Sequence, residues 1–152
     1  MNRDDPGYPA PSSDAVSKVM RANRKTDSRP EANLRRALHA RGLRYRKNPS
    51  VPTGVGSVKP DIVFPGPKVA VFVDGCFWHS CPTHGNTPST NRDYWEPKLR
   101  RNQERDELVT DALTTAGWMV VRVWEHESVT RAAAVVETAV RSRTARSPNR
   151  IA

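Results

Sequence analysis

Cysteine is nearly absent: Cys76 and Cys81 are the only two in 152 residues. A scaffold held by several disulfides is therefore excluded, and one bridge across so short a loop would be a weak staple. Long apolar runs are missing too. No stretch approaches the ~18 apolar residues of a membrane span, and the N-terminus lacks the apolar core of a signal peptide. No basic helix with a Trp/Leu face speaks for a membrane surface. A soluble intracellular protein is expected. Apolar residues reach only 36%, and the shortage is greatest at the ends. Residues 1–14 hold three prolines and almost no apolar periodicity, and residues 141–152 are basic and polar. Both read as tails, which leaves one domain over residues 15–140.

What is abundant is positive charge. Against 16 Asp and Glu stand 25 Lys and Arg, a formal net charge of +9. A polyanion suits such a chain, and nucleic acid is the commonest one.

The hydropathy pattern is mixed. Asp14 to Asn23 reads as a short helix with Val16, Val19 and Met20 on one side. Ser28-Arg29-Pro30-Glu31 has capping-box spacing, and the helix it opens buries Leu34, Ala37 and Leu38 before stopping at Gly42. Leu43 to Lys47 alternates like a strand, and Pro49 to Ser57 reads as a loop. Pro60–Phe64 and Lys68–Asp74 form a β-hairpin around Pro65-Gly66. A long helix spans Asn91 to Ala116, with a kink or fresh start expected at Pro97. Trp118 to Trp124 is a third strand, and Ser128 caps a last helix to about Arg141. The expected fold is α/β, a mixed sheet with helices against it.

Chemistry concentrates between Asp61 and His126. The run Cys76-x4-Cys81-x2-His84 offers three corners of a tetrahedral Zn²⁺ site, and His126, just past the third strand, is the candidate for the fourth. The alternative is two buried cysteines beside surface histidines. Asp61 opens one strand and Asp74 closes the next. A carboxylate in such a place can hold Mg²⁺, which takes one or two carboxylates and leaves room for water and a phosphate. Phe77 and Trp78 sit in a polar loop beside His79. They either pack under the cysteine loop or wedge between DNA bases.

The succession Pro60-Asp61, Val71 to His79 (VFVDGCFWH), the cysteine–histidine run, Tyr94-Trp95-Glu96-Pro97-Lys98 with Asn102 and Arg105-Asp106, then Gly117-Trp118 through Val123-Trp124-Glu125-His126-Glu127, resembles the very-short-patch-repair (Vsr) endonucleases. The likeness runs from about Val16 to Glu127. It implies a restriction-endonuclease-like, PD-(D/E)xK-type fold with a structural zinc. It also implies Mg²⁺-dependent nicking of duplex DNA on the 5′ side of the thymine of a T:G mismatch. A cytoplasmic, nucleoid-associated bacterial enzyme follows, with mismatch-repair proteins or a cytosine-methyltransferase system as prospective partners. A single nicking site points to a monomer.

Carried over by residue, Asp61 matches the Mg²⁺-binding aspartate, joined by the backbone carbonyl of Val73. His79 matches the histidine that activates water, and Glu31 an acidic residue near the reacting centre. Phe77, Trp78 and Trp95 match aromatics that enter DNA beside the mismatch. Cys76, Cys81, His84 and His126 fall where zinc ligands lie, with cysteine in other members where His126 stands. Lys98, Arg100 and Arg101 are placed to hold phosphates, and Asn102 to contact a base edge or a phosphate. No acid-x-Lys occurs in Lys68–Asp74. Asp74 follows Val73 immediately and by strand alternation should point to the opposite face, so its role stays open. Two other readings compete: another nuclease on this framework, restriction or modification-dependent, and a non-catalytic zinc-stabilised DNA-binding module.

Overall fold

The computed structural model describes residues 29–76, 81–83 and 91–145. The expected helix over Asp14–Asn23, the Ser28 cap, the loop residues Phe77, Trp78, His79 and His84, and most of both tails lie outside them.

Helix α1, Arg29–Ala40, buries Glu31, Leu34 and Leu38, with Ala37 packed beside them. It ends as Gly42 adopts φ 75°: Leu43 N–H donates to the Leu38 carbonyl (3.1 Å) and Gly42 N–H to that of His39 (2.9 Å). This pair of bonds satisfies the last carbonyls and turns the chain sharply. Strand β1 is shorter than the alternation predicts, Arg46–Lys47. The stretch expected to be a loop departs from that reading. Val51–Thr53 (β2) and Gly56–Val58 (β3) pair antiparallel as a separate two-stranded sheet. Pro52 lies opposite Ser57, where a ribbon with two open edges tolerates a residue that cannot donate.

The expected hairpin forms. Strands β4, Ile62–Phe64, and β5, Val69–Asp74, pair antiparallel, with Ile62 opposite Val71. Helix α2 runs from Arg92 to Thr115 with Pro97 inside it. Pro97 is near the start, so a single lost donor does not end the helix. At its far end Gly117 (φ 90°) repeats the stop seen after α1, with Trp118 N–H on the Leu113 carbonyl at 2.9 Å. Strand β6, Met119–Trp124, lies parallel to β5, from Val69 opposite Met119 to Asp74 opposite Trp124. Helix α3, Val129–Ala145, is capped by Ser128 Oγ, which accepts the Arg131 N–H at 3.1 Å. It continues past the expected end at Arg141, so the last helix takes in the first residues of the predicted basic tail.

The sheet order is β1-β4-β5-β6. Alternation on β5 divides its side chains between two layers. Val69 and Val71 join Ile62, Phe64, Val121 and Val123 under α1 and α3, while Ala70 joins Val63, Val51 and Leu113 under α2. Each fully buried Leu, Ile, Phe or Val stabilises by roughly 1.5–3 kcal/mol, so the sheet is fixed chiefly by these two layers. The antiparallel and parallel pairings bring the end of β1, the start of β4 and the carboxyl ends of β5 and β6 to one end of the sheet. No helix among the described residues is long and apolar enough to cross a membrane.

Candidate active site and metal centre

Asp61 stands at that end of the sheet, half-buried. Its backbone is held from both sides: its N–H donates to the Val71 carbonyl (3.0 Å), and its carbonyl accepts the Asn48 N–H (3.1 Å). Its side chain reaches along the edge of β5, where Oδ2 accepts the Val73 N–H at 2.8 Å. A residue in a strand presents its N–H and C=O on the same edge. The Val73 carbonyl is therefore directed to the edge that Asp61 occupies. A carboxylate and a carbonyl side by side are oxygen donors of the kind a hard divalent cation takes.

Asp74 follows immediately and behaves differently. It is 5% exposed, and both its oxygens accept from Arg122 Nη1, at 3.0 and 3.2 Å. Arg122 in turn donates to Thr110 Oγ1 and the Asp106 carbonyl on α2, and its guanidinium lies 4.3 Å from the Phe72 ring centre. The alternation argument places Asp74 on the α2 side of β5, as expected. Asp74 belongs to an ion pair that joins β5, β6 and α2. Losing one partner of a buried pair costs about 3–5 kcal/mol, against about 0.3–0.5 for an exposed helical pair such as Arg92–Glu96.

Beyond Asp74 the chain turns into the cysteine loop. Cys76 and Cys81 are both buried and both carry free thiols. His126, just past β6, points Nδ1 at them, 3.1 Å from Cys76 Sγ and 3.8 Å from Cys81 Sγ. All three ligand atoms lie within 4.8 Å of one another. Two backbone bonds shape the loop. Cys81 N–H donates to the Cys76 carbonyl and Cys76 N–H to Glu125 Oε1, each at 3.0 Å. Burial, then the neighbouring Cys81 and Glu125, push the Cys76 thiol up to about 11. So buried a thiol is inert as a nucleophile, and ionises readily only against a cation. Two thiols and an imidazole fit three corners of a tetrahedral zinc site. His84, expected as another ligand, lies outside the described residues.

Around this end the other predicted residues divide. Arg29, Pro30 and Asn33 on the first turns of α1 line a cleft of about 140 Å³ with Val73, Val123 and Trp124. Glu31, on the same turn, is buried, 3.7 Å from the Arg35 guanidinium. Trp95 is 4% exposed and packs edge-on against Tyr94, with ring centres 5.0 Å apart. In this conformation it is part of the packing beneath α2, so contact with a base requires it to turn outward. Lys98 donates to Tyr94 Oη at 2.6 Å, and Asn102 is half-buried one turn further along. Arg100 and Arg101 are exposed. Sequence reasoning missed Glu125, which holds the cysteine loop, and Arg122, which holds Asp74. The Trp-Glu-His-Glu run signalled the first, and nothing local signalled the second.

Known proteins bear on what this arrangement does. A family model described as DNA mismatch endonuclease Vsr matches residues 12–84, which include Asp61 and both cysteines. The chain is 59% identical over 133 residues to the type II nicking enzyme V.NaeI of Lentzea aerocolonigenes, covering 86% of this chain and 80% of that one. It is 42% identical over 114 residues to the type II nicking enzyme V.NmeDIP of Neisseria meningitidis serogroup C, 74% of each chain. It is 34% identical over 110 residues to the DNA mismatch endonuclease Vsr of Escherichia coli, covering 72% of this chain and 68% of that one. The mixed sheet with its carboxylate end, taken with these likenesses, defines a DNA endonuclease. The chain belongs to the Vsr family of DNA mismatch endonucleases, and membership implies a restriction-endonuclease-like fold.

Proposed function

We propose that this endonuclease nicks one strand of duplex DNA on the 5′ side of the thymine of a T:G mismatch, in a Mg²⁺-dependent reaction that begins very short patch repair. The observation that carries it is the half-buried Asp61, fixed against the edge of β5 beside the Val73 carbonyl in a chain of this family. Asp61 and the Val73 carbonyl would hold Mg²⁺, which when bound supplies positive charge against the phosphate as the transition state forms. His79 accepts the proton of the attacking water, a task for which the imidazole side chain is suited at neutral pH. Water adds to phosphorus as the bond to the 3′ oxygen breaks, leaving a 5′-phosphate. Glu31 supports the reacting centre from α1. Cys76, Cys81, His84 and His126 would hold Zn²⁺, whose chemistry there is structural: it ties the loop bearing His79 to the end of β6.

Selectivity is assigned to Phe77 and Trp78 on that loop and to Trp95 at the start of α2. A mismatched step costs less to open than a matched one, so an aromatic wedge converts weak pairing into preference. Lys98 and Asn102 contact the DNA beside it. Several relatives are named type II nicking enzymes, which supports single-strand cleavage and keeps a second reading in view, a restriction or modification-dependent nuclease on this framework. One experiment separates them: strand-resolved cleavage of T:G, matched and methylated duplexes, with Mg²⁺ and with EDTA. Nicking of the thymine strand of T:G duplexes alone, and only with Mg²⁺, is expected. Equal cleavage of matched or methylated duplexes overturns the mismatch reading, and full activity in EDTA overturns the metal.

A further inference from the structure

Between Glu31 and Asp61 the chain contains no carboxylate, yet it holds Arg35, Arg36, Arg41, Arg44, Arg46, Lys47 and Lys59. Arg35 faces Glu31, and Arg41 is bonded to Glu137. Arg44, Arg46, Lys47 and Lys59 are exposed. The backbone pairings place β1 and Lys59 next to Asp61. Arg46 pairs with Val63 and Lys47 with Ile62, the Asn48 N–H bonds the Asp61 carbonyl, and Lys59 precedes Pro60-Asp61. Neighbouring strands lie ~4.8 Å apart, so this basic edge is the immediate flank of Asp61, on the side away from the cysteine cluster.

The β2–β3 hairpin rises from the same edge. It is anchored from below, Val51 and Val58 packing with Val63 and Leu113. It is also stiffened at the tip, where Thr53 Oγ1 donates to the Gly56 carbonyl and accepts the Val55 N–H. What this braced tip displays is apolar: Val55 is 79% exposed, more than Leu108 or Val135, the other large exposed apolar side chains among the described residues. A rigid apolar point beside a carboxylate-free basic strand is poorly explained as a solvated face. The pairing of cations with an apolar contact suits the backbone of duplex DNA, whose phosphates are charged and whose sugars are not.

We infer that β1, Lys59 and the β2–β3 hairpin form a second DNA-gripping ridge: Arg44, Arg46, Lys47 and Lys59 hold phosphates flanking the scissile one, and Val55 rests on the sugars between them. The inference rests on the reading of Asp61 as the residue that meets the scissile phosphate. From Arg44 to Lys47 an extended chain covers ~10 Å, about one and a half phosphate-to-phosphate steps of ~7 Å along one strand. The ridge thus fixes the register of the backbone over Asp61, while α2 and the aromatic loop read the mismatch.

The test uses the full chain and a matched duplex, so that its outcome is independent of mismatch selectivity and of the fate of Asp61→Ala. Affinity is measured against salt for wild type, for Arg44→Ala/Arg46→Ala, for Val55→Ser, and for Arg36→Ala/Arg141→Ala. The last pair removes the same charge from exposed positions on α1 and α3, across the sheet. Each phosphate contact contributes ~0.9 to the slope of log K on log salt, so the ridge pair should flatten it by about 2 units and the control pair should leave it nearly unchanged. Val55→Ser should weaken binding about 3- to 10-fold, the loss of one small apolar contact, with the slope intact. Equal slopes for the ridge and control pairs, or wild-type affinity in Val55→Ser, overturn the ridge.

Discussion

Asp61 and Asp74 lie at the same end of the same sheet, on adjacent strands, and do opposite things. Asp61 is half-buried, and its Oδ2 accepts the Val73 N–H, which orients the carboxylate along the edge of β5. Asp74 is buried and held by a guanidinium, which spends its charge inside the protein. The partners differ: Asp61 meets the edge of β5 at the Val73 amide, and Asp74 meets the Arg122 guanidinium on β6. On β5, odd positions such as Val73 face α1 and α3, and even positions such as Asp74 face α2. The reading of an acid at the end of a strand therefore depends on which groups the fold sets against it.

The comparison breaks most visibly at Asp61. Asp61→Ala should reduce nicking of a T:G duplex by about 10³-fold, the usual loss when a group stabilising the transition state is removed. Melting temperature and duplex affinity should stay close to wild type, because most affinity comes from phosphate contacts elsewhere. Single-turnover kinetics with a gel-shift control measures both. Retained nicking would remove Asp61 from the chemistry.

The cysteine cluster sharpens the contrast from the other side. One Zn²⁺ per chain is expected by elemental analysis, and Cys81→Ser should lose it along with several degrees of thermal stability. Full zinc content in that variant, or none in the wild type, would show the cluster to be two buried thiols beside an imidazole.

Arg122→Met tests the structural half. Leaving Asp74 buried opposite an apolar side chain should cost about 3 kcal/mol in denaturant unfolding. Nicking per folded molecule should change less than a few-fold. A large loss of turnover at unchanged stability would return Asp74 to the reaction.

How far these roles were legible from the sequence depends on range. The β4–β5 hairpin was readable because β-branched runs flank Pro65-Gly66, and α1 because Ser28, Glu31 and Gly42 punctuate it. The β2–β3 ribbon was not, since Pro52, Gly54 and Gly56 interrupt the alternation that marks strands, and its pairing rests on turn bonds around Thr53. At the site, Cys76, Cys81 and His126 were visible as a ligand set by residue type alone. The Asp74–Arg122 pair was invisible because its partners are 48 residues apart and join only when β5 meets β6. The family resemblance marked Trp95 as a wedge aromatic, and its burial could not be read from the sequence.

The parallel pairing of β5 with β6 also governs how the molecule assembles. Cys76 and His126 are 50 residues apart in the chain and become neighbours only when that pairing closes. Closing a loop of this length costs about 3–4 kcal/mol in chain entropy before any contact rewards it. The β4–β5 hairpin and α2 are local and can form first, whereas the parallel strand must wait for both. The pairing that completes the sheet is therefore the same one that brings the two cysteines to His126.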